Sequence, residues 1–342
     1  MTLNARDGNV RAFGHVPRQP NGEGRDGYCE VISDDPCEHA RCLPLWTQDY
    51  VQVTKGAFVG TLAYAQLGEI RLFREAMNQA VVERCDAPPD SFCIGIPIQV
   101  SAGGYWQSRA VESTSLLCLQ PGEPLLFRAP GSSDILVVTI DAKTLANRAS
   151  ESIEQDIERL VSRSQGKRLA LKTAAHYRNL IGEIISTVRF DPDVLGDKSP
   201  TRSIVDDLID SSIDVLSEIS DASRSSYRPR YAQRHIVECA CEYVLTRCAS
   251  PPSMEELSGH LHMSQRGMHH AFVNVTGLSP AKYLRNVRLH QARTELLHSG
   301  AQAQVCEIAH RWGFGHMGMF SSYYKSLFGE SPSATLRKSA RN

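Results

Sequence analysis

The stretch "WGFGHMGMFSSYYKSLFGESPS", residues 312 to 333, joins a short glycine-spaced turn to a run of residues with helical periodicity. The apolar spacing i, i+3, i+4 and i+7 is typical of one helix face packed on a core, and it is followed by Phe320, Tyr323, Tyr324 and Leu327. Just upstream, residues 305–312 have a similar apolar stripe, and Gly313 stands where a helix commonly ends. The pattern predicts helix, tight turn, helix.

The same arrangement occurs earlier, in "MEELSGHLHMSQRGMHHAF", residues 254 to 272. Leu257 aligns with Ile308 at an offset of 51, whereas Met268 aligns with Phe320 at an offset of 52, so the second turn is one residue longer. Both copies end alike, in "GLSP" and "GESP", where Gly stops one helix and Ser-Pro begins the next. Residues 279–300 between the copies read as one long helix that links two lobes. The sequence therefore predicts an internal repeat of two helix-turn-helix units.

This duplicated unit resembles the DNA-binding domain of the AraC/XylS family of bacterial transcription regulators. The resemblance covers roughly the last third of the chain and rests on residues at fixed spacing, which are Leu257, Ser264, Met268, Phe272, Gly277, Ser279, Pro280, Tyr283, Arg288, Leu289, Ala292, Ile308, Ala309, Gly313, Phe314, Phe320, Lys325, Gly329 and Pro332. It implies double-stranded DNA as a partner, a small effector bound by the N-terminal part, a homodimer, and RNA polymerase as a further partner.

Charge divides the chain in the same place. The net charge of −1 is the sum of a C-terminal part from residue 229 with 13 Lys and Arg against 7 Glu, which is +6, and a remainder with 24 basic against 31 acidic residues, which is −7. A basic helical module is attracted to the phosphate backbone, whereas an acidic domain is repelled by it. The N-terminal part is therefore expected to serve another purpose.

The N-terminal part is expected to contain a leader, a β-rich domain and helices. Residues 1–40 are polar, rich in Gly, Pro and Asp, and lack periodicity, which predicts a mobile leader. Residues 41–219 form the predicted domain, in which short β-type runs up to about residue 140 favour an antiparallel barrel or sandwich. The segment 142–220 has helical periodicity, typical of an outer layer, a dimer surface or packing within one subunit. Residues 220–232 predict a linker, and 233–342 the DNA-binding domain.

The family resemblance implies that the β-rich domain is a cupin-like barrel, so the fold class is α+β with an all-α C-terminal domain. Effector-binding candidates are apolar and aromatic residues with a few polar anchors, because pockets have that composition. They are Tyr64, Arg71, Phe73, Phe92, Trp106 and Phe127, with Arg74 and Glu75 as further anchors or as surface charges.

The alternative is a cupin-type enzyme with a DNA-binding appendage. Metal-dependent cupins need clustered histidines, whereas the histidines before residue 229 are the isolated His15, His39 and His176. Cys37, His39 and Cys42 lie close together but lack a second paired set, as a zinc module would have. His235 and Cys239, one turn apart, suit either a metal or a helix packed on the repeat. The sequence thus favours binding over catalysis, with no cofactor and no metal.

Residues for DNA contact follow from the helix faces that the core leaves free. A recognition helix buries one face and presents the other to the major groove. In the first unit this leaves Ser264, Gln265, Arg266, His269 and His270, and in the second His316, Gly318, Ser321 and Ser322. Arg can bind guanine, while Gly318 would let the backbone approach DNA closely. The candidates for phosphate contact are Lys282, Arg285, Arg288 and Lys325, with an internal salt bridge as the alternative for Arg288.

The bulk composition is that of an ordinary globular chain. The 342 residues, 42% of them apolar, suit two domains with ordinary cores. No apolar run approaches the ~18 residues of a membrane span, and the polar start lacks the apolar core of a signal peptide. The expectation is a cytoplasmic protein without a membrane partner, whose ten cysteines are reduced.

Overall fold

The computed structural model describes residues 27–107, 109–152, 156–191, 198–218, 231–300 and 302–339. Eleven strands and five helices occupy its N-terminal part, and seven helices follow from residue 231. The strands are β1 Tyr28–Ser33, β2 Thr47–Gln52, β3 Gly60–Leu67, β4 Ile70–Met77, β5 Val81–Asp86, β6 Ser91–Val100, β7 Tyr105–Trp106, β8 Arg109–Ala110, β9 Leu117–Leu119, β10 Pro124–Arg128 and β11 Ser133–Asp141. The helices before residue 231 are α1 Pro36–Ala40, α2 Ala142–Ser152, α3 Ile157–Ser164, α4 Leu171–Phe190 and α5 Lys198–Ser217.

The strands form two antiparallel sheets that face each other. The first has the order β1-β3-β4-β11-β6-β9 and the second the order β2-β5-β10-β7-β8. Apolar side chains from both sheets meet in one core, for example Phe73 and Val137 from the first with Val81 and Leu125 from the second. The predicted division into a β-rich N-terminal part and a helical C-terminal part is confirmed. Closure of the sheets into a cupin-like barrel stays a prediction.

Helices α2 to α5 cover the outer face of the first sheet. The inward stripe of α4, which includes Tyr177, Ile181 and Val188, is fully buried against strand residues such as Ile94 and Val138. Of the alternatives for this segment, packing within one subunit accounts for that stripe. A dimer surface on the remaining helix faces stays a prediction.

The expected leader of residues 1–40 is too long. Residues 1–26 lie outside the described part of the chain, but Tyr28–Ser33 pairs with β3, and Pro36–Ala40 forms α1. The side chain of Asp35 caps α1 by accepting hydrogen bonds from the backbone N–H groups of Cys37 and Glu38, both at 2.9 Å. Asp followed by Pro is a helix-start signal, and the polar composition of the segment concealed it.

The C-terminal helices have the predicted repeat. They are α6 Tyr231–Thr246, α7 Met254–His260, α8 Gln265–Thr276, α9 Pro280–His298, α10 Val305–Arg311, α11 Met317–Phe328 and α12 Pro332–Ser339. The pairs α7–α8 and α10–α11 are the two units, and α9 links them. Their turns correspond in backbone conformation, because His262 has φ 50° and Gly313, 51 positions later, has φ 73°. At Gly313 a side chain would also collide with Pro251 and with the carbonyl oxygen of Cys248.

The second sheet packs directly on the helical part. Its outward residues Val51, Val82 and Leu126 join the core of the first helix-turn-helix unit, which includes Phe272 and Tyr283. A linker was predicted at residues 220–232; residues 219–230 lie outside the described part of the chain, and α6 already begins at Tyr231. The two parts nevertheless share a buried apolar layer. No helix in the described ranges is both long and apolar enough to cross a membrane.

Candidate DNA interface and ligand cavity

The outward face of α8 carries the residues that the sequence assigned to the first DNA contact. Gln265, Arg266, His269 and His270 are exposed, while Met268 and Phe272 are buried on the opposite side. Ser264 begins the helix, and its hydroxyl accepts a hydrogen bond from the N–H of Gly267 at 3.1 Å. Its hydroxyl therefore has a capping role within the helix.

The outward face of α11 is less polar. His316, Gly318 and Ser322 are exposed, Ser321 is half-buried, and Phe320 and Tyr324 are buried. His316 occupies the N-cap position without a capping hydrogen bond from its side chain. The structure thus brings the predicted residues of each unit to one helix face.

The four candidates for phosphate contact lie in different environments. Lys282 and Lys325 are exposed. Arg285 is half-buried, with its guanidinium 4.0 Å from the ring centre of Tyr323. Arg288 donates hydrogen bonds to the carbonyl oxygens of Trp312 and Gly313, both at 3.1 Å, and lies over the Phe314 ring. Arg288 thus holds the second turn through backbone carbonyls. Among the described residues it forms no salt bridge, which was the alternative to phosphate contact.

Gln52, at the end of β2, connects the second sheet to both α9 and α11. Its backbone N–H donates to Nε2 of His290 at 2.8 Å, and its carbonyl accepts from Asn286 at 3.1 Å. Its side-chain amide donates to the carbonyl of Leu327 at 2.8 Å. Gln52 and His290 are both almost fully buried, so these bonds are shielded from water.

Helix α1 lies between the sheets and α9. On one side of it, Oδ2 of Asp35 pairs with Nε of Arg293 at 2.5 Å, and both side chains are almost fully buried. Arg293 also donates to Glu330 at 2.6 Å, beyond the end of α11. On the other side, Nε2 of His39 lies 3.1 Å from Oε1 of Glu75. The five-residue helix and its cap therefore contact both the sheet interior and α9, the helix that links the two helix-turn-helix units.

A cavity lies between the two sheets beside that contact. Its lining is apolar and aromatic, with Gln48, Glu75 and Glu83 as the polar members. The residues that line it are Leu43, Trp46, Gln48, Phe73, Glu75, Glu83, Cys93, Trp106, Leu117, Leu125, Phe127, Ile135 and Val137. No Lys, Arg or His is among these lining residues of the described chain, so the polar character of the cavity is acidic.

The two carboxyl groups are held in different ways. The hydroxyl of Tyr50 donates to Oε1 of Glu75 at 2.9 Å, next to His39. Burial and the charge of Glu75 raise the pKa of Glu83 well above its ordinary value. The indole N–H of Trp106 is buried and has no hydrogen-bond partner in the described structure. A ligand would suit this lining if it accepts a hydrogen bond from the indole N–H and forms hydrogen bonds with the carboxyl groups.

The six effector candidates of the sequence analysis do not all reach this cavity. Phe73, Trp106 and Phe127 line it. Tyr64 packs at the edge of the same core, and Arg71 lies two residues from Phe73 on β4, but neither lines the cavity. The assignment of Phe92 to the effector site was wrong, because its side chain belongs to the core between the first sheet and the helices. Both faces of β6 are buried at that point, so alternation could not show which face looks inward.

Several residues that were grouped together from the sequence have different environments in the structure. Arg74 pairs with Asp134 near the surface, whereas Glu75 is the anchor that reaches the cavity. Cys37 contacts His290, whereas Nδ1 of His39 and Sγ of Cys42 both contact the hydroxyl of Ser33, at 3.3 and 3.8 Å. The His235 ring lies 3.4 Å from Sγ of Cys239, one turn along α6. Trp46, Gln48 and Glu83 were not singled out, since Trp46 lies just before β2, Gln48 lies in β2 and Glu83 lies in β5, and such isolated residues leave no sequence pattern.

Most of the helical part of the chain matches a known protein family. A family model described as a helix-turn-helix domain matches residues 257–338. The probable thc operon regulatory protein of Rhodococcus erythropolis is 26% identical over 279 residues, covering 80% of this chain and 83% of that protein. The XylDLEGF operon transcriptional activator of Pseudomonas putida is 39% identical over 87 residues, covering 25% of this chain and 27% of the activator.

A solved structure is similar over about a third of the chain. The crystal structure of a probable AraC family transcriptional regulator from Rhodopseudomonas palustris is 31% identical, covering 31% of this chain and 98% of that chain, with a TM-score of 0.29. The named relatives are regulators of transcription.

Proposed function

Because this chain belongs to the AraC/XylS family of bacterial transcription regulators, we propose that it is a ligand-responsive regulator that binds a specific DNA sequence. A small effector binds in the cavity between the two sheets. DNA binds the outward faces of α8 and α11. The effector changes DNA affinity by changing how the sheets hold α9 and α11.

The position of α1 is the observation that carries this proposal. Glu75 lines the cavity and contacts His39, while Asp35, at the start of the same short helix, pairs with Arg293 of α9. A ligand that draws Glu75 away from His39 would alter the setting of α1 and thereby the Asp35–Arg293 pair. An effector can shift DNA binding only if it prefers one of two conformations, and this contact supplies a physical difference between them.

The cavity lining sets the chemistry of the effector. Its walls are apolar and aromatic, and its polar groups include two carboxyls without a basic neighbour among the lining residues. A carboxylate ligand would be repelled by the charge of Glu75, whereas a neutral or amine-bearing ligand with an apolar body is compatible with it. We therefore expect amines to bind in preference to acids.

The DNA contacts are divided between the two units. In this proposal Arg266 in α8 contacts a base, with Gln265, His269 and His270 beside it, while Lys282 and Lys325 contact phosphates. His316, Gly318 and Ser322 are the contacts of α11, with Ser321 at their edge. Arg285 is half-buried and stacks on Tyr323 of α11.

Family resemblance and the remaining surface extend the proposal to assembly. We expect a homodimer, with the outer surface of α2–α5 as its interface, and contact with RNA polymerase from the helical part. A homodimer would place two copies of the repeat on one DNA site. Sedimentation of the full chain with and without selected DNA tests the dimer.

The experiment that tests ligand response needs a selected DNA sequence and a matched set of probes. Wild-type protein first selects duplexes from a randomised pool. Thermal unfolding is then followed with benzylamine, benzyl alcohol and benzoate, which share one aromatic body and differ in charge. We expect benzylamine to raise the unfolding temperature and to change the affinity for the selected duplex, and benzoate to do neither.

A variant of the contact between Glu75 and His39 completes this test. Glu75→Gln removes the charge that faces His39, so at a ligand concentration that saturates the variant the change in DNA affinity should be smaller than in the wild type. Glu112→Gln removes a carboxylate on the surface, where Glu112 pairs with Arg168, and serves as the matched control. Ligand binding with equal effects on DNA affinity in wild type and Glu75→Gln would contradict the proposed route. Selection of no sequence by the wild type would contradict the proposed function itself.

A further inference from the structure

The start of α11 carries an apolar side chain that the fold leaves exposed. Met319 is 51% exposed, more than any other large apolar residue described from residue 231 onward. It is exposed together with His316, Gly318 and Ser322, whereas the next residue, Phe320, is buried. An apolar residue at this place contributes nothing to the core of the lobe.

The fold also does not require glycine at two positions near Met319, Gly315 and Gly318. A side chain at Gly315 or Gly318 would meet no atom within 4 Å, and neither residue has the positive φ that favours glycine. Gly313 is different, since both its φ of 73° and its close neighbours exclude a side chain. Within a helix, glycine lowers stability relative to alanine, so Gly318 weakens α11 without a packing gain. Bare backbone at this point allows another molecule to come close.

The outward face of α8 offers the opposite chemistry. It presents Gln265, Arg266, His269 and His270, all of which form hydrogen bonds with base edges or phosphates. At the start of α11 the chain instead presents a flexible thioether that follows two bare glycines, together with His316 and short Ser hydroxyls. The two recognition helices are therefore suited to different features of the major groove.

We propose that α11 reads thymine, with Met319 packed against the 5-methyl group of a thymine base in the major groove. Thymine is the base that presents a methyl group in that groove, and apolar side chains contact it. Gly315 and Gly318 bring the backbone close enough for Met319 to reach the base. The inference rests on the proposed function, because it assumes that α11 enters the groove.

Deletion of the thymine methyl tests this contact directly. In the duplex selected by the full-length wild type, each thymine is replaced in turn by deoxyuridine, which lacks only the methyl group. At one or two thymines the wild-type affinity should fall about fourfold, which corresponds to about 0.8 kcal/mol for one buried methyl. Met319→Ala should bind the thymine duplex more weakly than wild type and should bind both duplexes equally. Thermal unfolding of Met319→Ala should match the wild type, because the side chain is exposed.

A second variant pair tests the close approach. Gly318→Ala should unfold at a temperature equal to or above that of the wild type, because alanine favours helix, and should bind the selected duplex several-fold more weakly. Gly259→Ala is the matched control, because Gly259 lies in α7, also with no atom within 4 Å of an added side chain. It should show the stability effect without the loss of DNA binding.

Three results would overturn the inference. The first is equal wild-type affinity for thymine and deoxyuridine at every position, and the second is wild-type DNA binding by Gly318→Ala. The third is unchanged DNA affinity of Met319→Ala, which would assign this surface to a protein partner. If Arg266→Ala still weakens the selected duplex in any of these cases, only the reading of thymine fails. If the wild type selects no sequence, the proposed function fails together with the inference.

Discussion

Asp35 and Arg293 form a buried ion pair between parts of the chain that are 258 residues apart, with 2.5 Å between Oδ2 and Nε. The other oxygen of the Asp35 carboxylate caps α1 through the N–H groups of Cys37 and Glu38. The Arg293 guanidinium reaches Glu330, which follows the end of α11. One carboxylate thus orients a helix beside the cavity and also the residue that holds the second DNA-binding unit.

Replacement of Asp35 by Asn should weaken the contact between the two parts of the chain. Asn can still cap α1 through its carbonyl oxygen, so the change removes the charge and spares the helix start. Arg293 keeps Glu330 as a partner, so the expected loss is about 2 kcal/mol, the range for a hydrogen bond to a charged group. Urea unfolding of the full chain measures it.

Asp34→Asn is the matched control for this prediction. Asp34 lies next to Asp35 and also contacts the helical part, through Lys338 at 2.8 Å, but both of those side chains are largely exposed. Exposed ion pairs contribute about 0–1 kcal/mol, so the control should remain close to wild type. Equal losses in the two variants would show that burial of the Asp35–Arg293 pair has no special effect.

Acid should loosen the same interface through His290. Burial lowers the pKa of His290 to about 4, although Asp35 and Asp49 act in the opposite direction. In the unfolded chain the ordinary value is 6.5, so that state binds a proton first as pH falls. The contribution of neutral His290 is complete above pH 6.5 and is lost between pH 6.5 and 4. It amounts to on the order of 3 kcal/mol over that range.

The measurement is the free energy of unfolding at pH values from 4 to 8, for the wild type and for His290→Gln. Gln can accept the hydrogen bond from the N–H of Gln52 but has no proton to gain. The variant should therefore lose less stability than the wild type as pH falls below 6.5. Parallel curves for the two proteins would exclude His290 as the titrating group at the interface.

Arg266 and Lys325 should differ in how they affect DNA binding. Arg266→Ala should cost roughly 1–3 kcal/mol on the selected duplex and little on random DNA, because a base contact is lost. Lys325→Ala should weaken both duplexes to a similar extent, because phosphates are present in every sequence. Titrations of the two DNAs at one salt concentration give the comparison. The same losses for both variants on both DNAs would mean that the outward face of α8 is turned away from the bases.

The sequence predicted the repeat because its signals are local and occur twice. Leu257, Met268, Ile308 and Phe320 follow helical spacing, and the two Gly-x-Ser-Pro endings mark the same boundary in each copy. Gly277 and Gly329 both have φ 75°, as a left-handed helix end requires. Local periodicity therefore fixed the helices and the outward faces of α8 and α11.

The contacts between the two parts of the chain depend on single residues that have no local pattern. Gln52, Asp35 and His290 are polar residues whose partners lie more than 230 positions away, and nothing in their neighbourhoods indicates burial. The cavity has the same property, since Glu75 and Glu83 come from different strands and different sheets. Such sites follow from strand order, which alternation of apolar and polar residues does not determine.

Arg288 provides a test of structural against phosphate-binding roles. Its guanidinium donates to the carbonyls of Trp312 and Gly313 at the second turn, and burial lowers its pKa because charge is less stable away from water. Arg288→Ala leaves these carbonyls without that donor and should destabilise the protein by about 1–3 kcal/mol. The slope of log affinity against log salt should stay unchanged, because no phosphate contact is lost.

Lys282→Ala is the control on the same helix, since Lys282 is exposed and only six positions earlier. It should leave unfolding unchanged and make the salt slope shallower by about 1, the effect of one lost phosphate contact. Urea unfolding and DNA titrations from 50 to 200 mM salt separate the two variants. A shallower salt slope for Arg288→Ala, together with wild-type stability, would show that Arg288 contacts a phosphate and does not stabilise the second turn.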